Sequence, residues 1–177
     1  MLASVVKFEP DSSFDGIWTR SILPIFDSRG NFREISRKSD LPTESPELRQ
    51  DSISISKKNV LRGMHYQEEQ WQLITLVRGS IQDVVLCVDE RSENYLKSSM
   101  RLMDENGVNQ ILTAPGLAHG FANLSDETII HYRSSVYFGE TPQHGIHWQS
   151  ECVRYLWEER DWIVSERDSG FPVVESR

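Results

Sequence analysis

Two apolar runs separated by a two-residue gap constrain this chain more than any other feature of it. Residues 72–77 (QLITLV) stop at Arg78-Gly79, and residues 80–88 (SIQDVVLCV) stop at Asp89-Glu90. Both are short, rich in β-branched residues and bounded by turn formers, a pattern that predicts strands. The gap between them predicts that they pair as a hairpin. Similar punctuation recurs along the chain. Residues 16–25 read as a strand ending near Pro24, Asp27-Ser28-Arg29-Gly30 as a turn, and residues 31–35 as resumed extended structure. Residues 50–56 (QDSISIS) alternate as a half-buried strand does, and residues 96–103 form a weaker strand followed by a turn at 104–107. Residues 110–114 run into Pro115-Gly116, and residues 119–124 and 128–137 read as another strand pair around Ser125-Asp126-Glu127. Residues 39–48 hold Pro42 and Pro46 and read as a loop; residues 151–168 read as short strands or a helix lying across the body. Many short strands with almost no helical periodicity predict an all-β sandwich or barrel of the jelly-roll kind.

At 177 residues, with no internal repeat, low-complexity tract or dividing linker, the chain reads as one domain, 1–177. Its formal net charge of −8 argues against nonspecific nucleic-acid binding, so an anionic ligand needs a local arginine cluster. The two cysteines, Cys87 and Cys152, form no metal or disulfide spacing, which fits a reducing compartment. With no leader-like N-terminus and no stretch of membrane-spanning length, the expected location is cytoplasmic, with no membrane partner.

Chemistry concentrates in residues 59–67 (NVLRGMHYQ), where a strand delivers Arg62, Gly63 and His65 within four residues. Arg62 offers a forked cation suited to phosphate, and Gly63 permits a tight turn or a close approach to a ligand. His65 offers a base with an ordinary pKa of about 6.5. Taken alone, a histidine near a strand end is more often a satisfied, partly buried residue than a catalyst. Further polar candidates recur at or near predicted strand ends: Arg29, His119, Tyr132, Arg133, Tyr137 and Asp168. In a jelly roll such distant positions can converge on one barrel mouth. No metal is expected. His65 has no second histidine two residues on, and His144 and His147 lack a third ligand and read as surface loop residues.

FDSRGNFRE (residues 26–34), LRGMHYQ (residues 61–67), PGLAHGF (residues 115–121) and the Tyr132–Tyr137 stretch follow one another in that order. With these motifs the chain resembles the dTDP-4-dehydrorhamnose 3,5-epimerase family over about residues 17–168. The resemblance implies a cupin jelly roll (a double-stranded β-helix) with short peripheral helices, acting on a nucleotide-linked 4-keto-6-deoxy sugar without metal or organic cofactor. It implies that His65 removes the proton beside the sugar carbonyl, Asp168 pairs with His65, and Tyr132 returns a proton from the opposite face. It further implies that His119 lines the pocket, Arg62 and Arg29 contact the diphosphate, and Phe32, Glu34 and Gln50 lie near the nucleotide base. Tyr137 would flank sugar or base. The chain would form a homodimer whose N-terminal segment crosses to the partner subunit, carrying Arg29 with it.

The sequence also departs from the family pattern. The family's lysine in Q-x-K becomes Gln72 in Gln70-Trp71-Gln72, and Ser52 stands where an asparagine is usual. The S-P-T after the second long strand is replaced by residues 91–94, and the tail's Asp-Pro and Trp-Pro pairs by Ser150-Glu151 and Trp157-Glu158. Without the lysine, the developing enolate needs Gln72, His119, Arg133 or a differently placed carbonyl to stabilise it. The main reading is an epimerase acting at C3, C5 or both. The alternatives are a nucleotide-sugar 3,4-ketoisomerase and a non-catalytic sugar-nucleotide-binding cupin.

Overall fold

The computed structural model describes residues 7–12 and 14–175. Two antiparallel sheets face each other. One contains β1 (Glu9–Pro10), β2 (Ile17–Arg20), β5 (Gln50–Lys57), β7 (Gln72–Arg78), β10 (Gln110–Thr113) and β12 (Glu127–Ser134) in the order β1-β2-β10-β7-β12-β5. The other contains β6 (Leu61–Tyr66), β8 (Ser80–Cys87), β9 (Ser98–Asp104), β11 (Leu117–Asn123) and β13 (His144–Gly145) in the order β13-β6-β11-β8-β9. A separate ribbon, β3 (Ile25–Asp27) and β4 (Gly30–Phe32), turns through the expected residues 27–30. Helical structure among the described residues is short: single turns at Lys38–Asp40 and Arg154–Leu156, and α1 (Glu166–Ser169). This is the predicted jelly roll, with a cupin's paired sheets.

The hairpin expected from residues 72–88 does not form. β7 pairs with β10 and β12, whereas β8 pairs with β11 and β9. The chain crosses between sheets at Gly79, whose φ of +92° suits glycine. Ser125 Oγ accepts from the Ser80 amide there, and the Leu124 amide donates to the Ser80 carbonyl. The second expected pair fails in the same way: β11 and β12 lie in opposite sheets, and β12 ends at Ser134, before Tyr137. Gap length alone cannot distinguish a hairpin from a crossing, because both need a sharp turn and only packing selects the partner.

β8 also shows why its sequence is so continuously apolar. Ile81 and Val85 face the core between the sheets, beside Ile74, Leu76, Phe121 and Ile130. Val84 and Leu86 face outward but are buried beneath Cys152, Val153 and Trp157 of the C-terminal segment. A strand covered on both faces loses its alternation. The C-terminal segment then continues to α1, which carries Asp168 back toward β6.

Candidate active site

Between the sheets lies a cavity of about 310 Å³, lined by Arg62, His65 and His119 from one sheet and Gln72, Tyr132 and Ser54 from the other. Gln50, Ser52, Gln67, Gln70, Phe121, Ser134 and Gln143 complete much of its wall. Amides, hydroxyls and imidazoles line it beside Phe121, Val136 and Phe138, with Arg62 as its guanidinium.

His65 Nε2 stands 2.8 Å from Asp168 Oδ1, and the Gly63 amide donates to Asp168 Oδ2 at 3.0 Å. A carboxylate only accepts, so Nε2 carries the hydrogen and Nδ1 keeps a lone pair. Ser165 caps α1 by accepting from the Asp168 amide at 3.1 Å, which fixes the carboxylate's approach. Burial pushes the Asp168 carboxyl up. Hydrogen bonds from His65 and Gly63, the charge interaction with His65 and the Ser165 contact outweigh it and hold the group below the usual carboxylate range. Phe171 lies edge-on to the His65 ring at 5.6 Å, and sits where a side chain on Gly145 would collide with it.

A second histidine–aspartate pair adjoins the first. His119 is the register partner of His65 across β6 and β11, and its Nε2 lies 2.5 Å from Asp83 Oδ2. Asp83 is fully buried and also accepts from Arg101 at 3.0 Å. Burial raises its pKa, but His119 and Arg101 outweigh that and lower it overall. Neither Asp83 nor Arg101 was singled out in the sequence. Both sit inside strands, where a lone charged residue in SIQDVVLCV was the available signal.

From the facing sheet, Tyr132 shares a hydrogen bond with Ser54 Oγ at 3.3 Å. Burial pushes its phenol up to about 12. His65 stands next to the end of β6, as expected, whereas His119 and Tyr132 project from the interiors of β11 and β12. Arg62 is anchored by donating to Ser56 Oγ at 3.0 Å.

Several expected neighbours lie elsewhere. Arg133 points to the opposite side of β12 from Tyr132, where it pairs with Asp51 at 3.1 Å and donates to Ser36 and Leu48, so it is not an oxyanion donor for this cavity. Arg29 is exposed and paired with Asp27, Phe32 is exposed on the β3–β4 ribbon, and Glu34 pairs with Arg37. None of these lines the cavity within one chain. Tyr137 lies beyond β12 beneath the Arg49 guanidinium, between Val136 and Phe138, which do line it. His144 is exposed but belongs to β13 rather than a loop. Gly63 permits a close approach of β6 to His119 and Gly120 of β11. Among the described residues no cluster of three or more His, Cys, Asp or Glu is placed to hold a metal ion, and no helix is long and apolar enough to cross a membrane.

Fold and site together define a cupin-type isomerase. The family model for dTDP-4-dehydrorhamnose 3,5-epimerase matches residues 11–176. A dTDP-4-dehydrorhamnose 3,5-epimerase of Methanothermobacter thermautotrophicus is 35% identical over 153 residues, covering 82% of each protein. Among solved structures, a 4-keto-6-deoxy sugar epimerase from the novobiocin biosynthetic gene cluster of Streptomyces spheroides superposes with a TM-score of 0.84 at 26% identity. That match covers 96% of this chain and 88% of that one. A dTDP-4-dehydrorhamnose 3,5-epimerase of Bacillus anthracis, solved with TDP and PPi bound, also gives 0.84 at 26% identity, covering 93% and 97%. The chain belongs to the dTDP-4-dehydrorhamnose 3,5-epimerase family.

Proposed function

We propose that this epimerase inverts C3, C5 or both in a dTDP-linked 4-keto-6-deoxy sugar, with His65 as base and Tyr132 as acid. The observation that carries the reading is the placement of the His65–Asp168 pair and Tyr132 on facing sheets of one cavity. A proton beside a ketone is weakly acidic, so its removal requires a positioned base and support for the enolate oxygen. Asp168 orients His65 and stabilises the imidazolium that forms. Inversion requires return of a proton on the opposite face, and a phenol held neutral by burial supplies it. Gln72 offers an amide donor on the cavity wall for the oxyanion.

Arg62 takes the diphosphate from within the subunit. Arg29, Phe32 and Glu34 join the site from a second copy, and Gln50 and Tyr137 complete the nucleotide end of the pocket. The exposed β3–β4 ribbon, with Phe26 69% and Phe32 65% accessible, supports that homodimeric exchange of one-domain subunits. A cytoplasmic location fits the two free cysteines.

The test is incubation of dTDP-4-keto-6-deoxyglucose with the protein in D₂O, followed by NMR. Deuterium at an inverted C3 or C5 is the expected result. A 3,4-ketoisomerase would instead move the carbonyl, and a binding-only cupin would leave the sugar unlabelled; either result overturns the reading.

A further inference from the structure

Two of the cavity's side-chain amides, Gln67 and Gln143, are oriented by groups whose polarity admits no alternative, and Gln67 in turn orients Gln70. The Thr141 carbonyl can only accept, so the Gln67 amide nitrogen must face it, at 3.0 Å. That leaves the Gln67 oxygen at the other end, where the Gln70 nitrogen donates to it at 2.6 Å. The same Gln70 nitrogen donates to Ser134 Oγ at 2.8 Å. Both hydrogens of the Gln70 amide are thereby committed. Its carbonyl oxygen accepts from none of the described residues, and Gln70 lines the cavity. Gln67 and Ser134 are buried, so the chain of bonds that sets this orientation is shielded from water. Gln143 is set the opposite way: Arg167 donates to its oxygen at 2.6 Å and leaves the amide nitrogen free to donate.

We propose that Gln70 is a specificity-determining residue whose fixed carbonyl oxygen accepts a hydrogen bond from a ring hydroxyl of the sugar, beside the strand that carries Tyr132. The placement follows from register. Ser134, which Gln70 contacts, lies two residues along β12 from Tyr132 on the same face, a separation of about 7 Å. That spacing fits a hydroxyl on the same sugar ring that Tyr132 approaches. An acceptor-only group cannot bind a second carbonyl at this position, nor a methylene. A site built to accept from a hydroxyl discriminates against the analogue lacking it, because the committed oxygen is left unpaired. Gln143 supplies the opposite polarity and completes recognition of a group that both donates and accepts. The proposal deepens the epimerase reading and rests on it for the sugar class.

The experiment measures binding rather than turnover, so it can fail independently of that reading. Calorimetry compares dTDP-6-deoxyglucose with its 2-deoxy and 3-deoxy forms, on the unaltered protein and on Gln70→Leu. The unaltered protein should bind one deoxy form about tenfold more weakly than the parent, the size of one hydrogen bond to a committed acceptor. In Gln70→Leu that difference should collapse to less than about threefold. Disturbance of the Gln67–Ser134 network would weaken all three ligands equally and leave the ratio unchanged. An unchanged ratio overturns the proposal, as does equal binding of all three by the unaltered protein. Deuterium exchange by the same preparation reports separately on the epimerase reading.

Discussion

Arg62 and His65 stand three residues apart on β6 and yet both face the cavity. Strict alternation would place them on opposite faces of the sheet. The register explains the exception: His65 pairs with His119 and Arg62 with Phe121, so three steps on β6 match two on β11. Gly63 lies in this bulge with φ of +123°. A Cβ at Gly63 would stand 2.5 Å from Gly120 Cα and 2.9 Å from the His119 carbonyl oxygen. Bulge and strand approach together place cation and base in one pocket.

Gly63→Ala is therefore expected to lower stability by about 3 kcal/mol, from positive-φ strain and backbone overlap together. Urea denaturation of the variant checks this. A shift within error of zero would show that β6 and β11 can separate without cost.

His65→Ala should abolish deuterium incorporation into the sugar, and Asp168→Asn should reduce it about a hundredfold or more by removing the charged partner of the imidazole. Solvent exchange followed by NMR reads both. Incorporation at an unaltered rate in His65→Ala would assign the base to another residue, with His119 the first to examine.

Asp168 and Asp83 both have lowered carboxyl pKa values, because contacts with His65 and Gly63, and with His119 and Arg101, outweigh the rise from burial. Groups depressed in the folded state contribute stability above their unfolded value, about 3.9, and lose it as pH falls through the folded value. Thermal stability should therefore fall once pH drops below about 5 and continue to fall below about 3.9, and the slope should be shallower in Asp168→Asn. Scanning calorimetry at several pH values decides it, and an equal slope in both proteins removes Asp168 from the linkage.

Tyr132 carries a phenol pushed up to about 12, so its proton should remain available throughout the neutral and alkaline working range. Tyr132→Phe keeps the ring but not the donor. Deuterium should wash in with retained configuration while inverted product falls about a hundredfold. Full epimerisation by the Phe variant would exclude Tyr132 as the acid.

Gln72 offers a neutral amide dipole where the family pattern has a lysine. Charge-assisted hydrogen bonds are about twice as strong as neutral ones, and one oxyanion donor is worth about a hundredfold in rate. Gln72→Lys is expected to raise turnover of dTDP-4-keto-6-deoxyglucose about tenfold, part of that range. Steady-state kinetics on the pure variant provide the measurement. Unaltered protein already turning over at about 10 s⁻¹ or faster would make Gln72 a tolerated exchange.

Arg62 and a partner's Arg29 should share the diphosphate, since a chain of net charge −8 has no global field to attract it. Replacing either by alanine should weaken dTDP binding about tenfold or more. Mixing Arg29→Ala with His65→Ala subunits should restore partial activity, because one mixed site would then hold both intact groups. No recovery after verified subunit exchange would place Arg29 outside the partner's site.

The strand-rich class, the turn positions and the residue types that carry acid–base chemistry were legible in the sequence. Those are local properties: β-branched runs, Gly and Asp at turns, and a motif order that a resemblance can match. Tertiary structure decided which strands pair. Gly79 and Ser125 turn the chain into the opposite sheet, where a local reading expects a hairpin. It also decided facing, which in β structure depends on register. Arg133 follows Tyr132 directly and points away, while Arg62 joins His65 through a bulge that alternation does not anticipate. Asp83 became visible as a site residue once β8 and β11 were paired, because its partner His119 is distant in the chain. The orientation of Gln70 depends on Ser134 and on Gln67, which the Thr141 carbonyl orients in turn, and folding brings these groups together. Hydrogen-bond polarity is a property of assembled neighbours, so no stretch of sequence contains it.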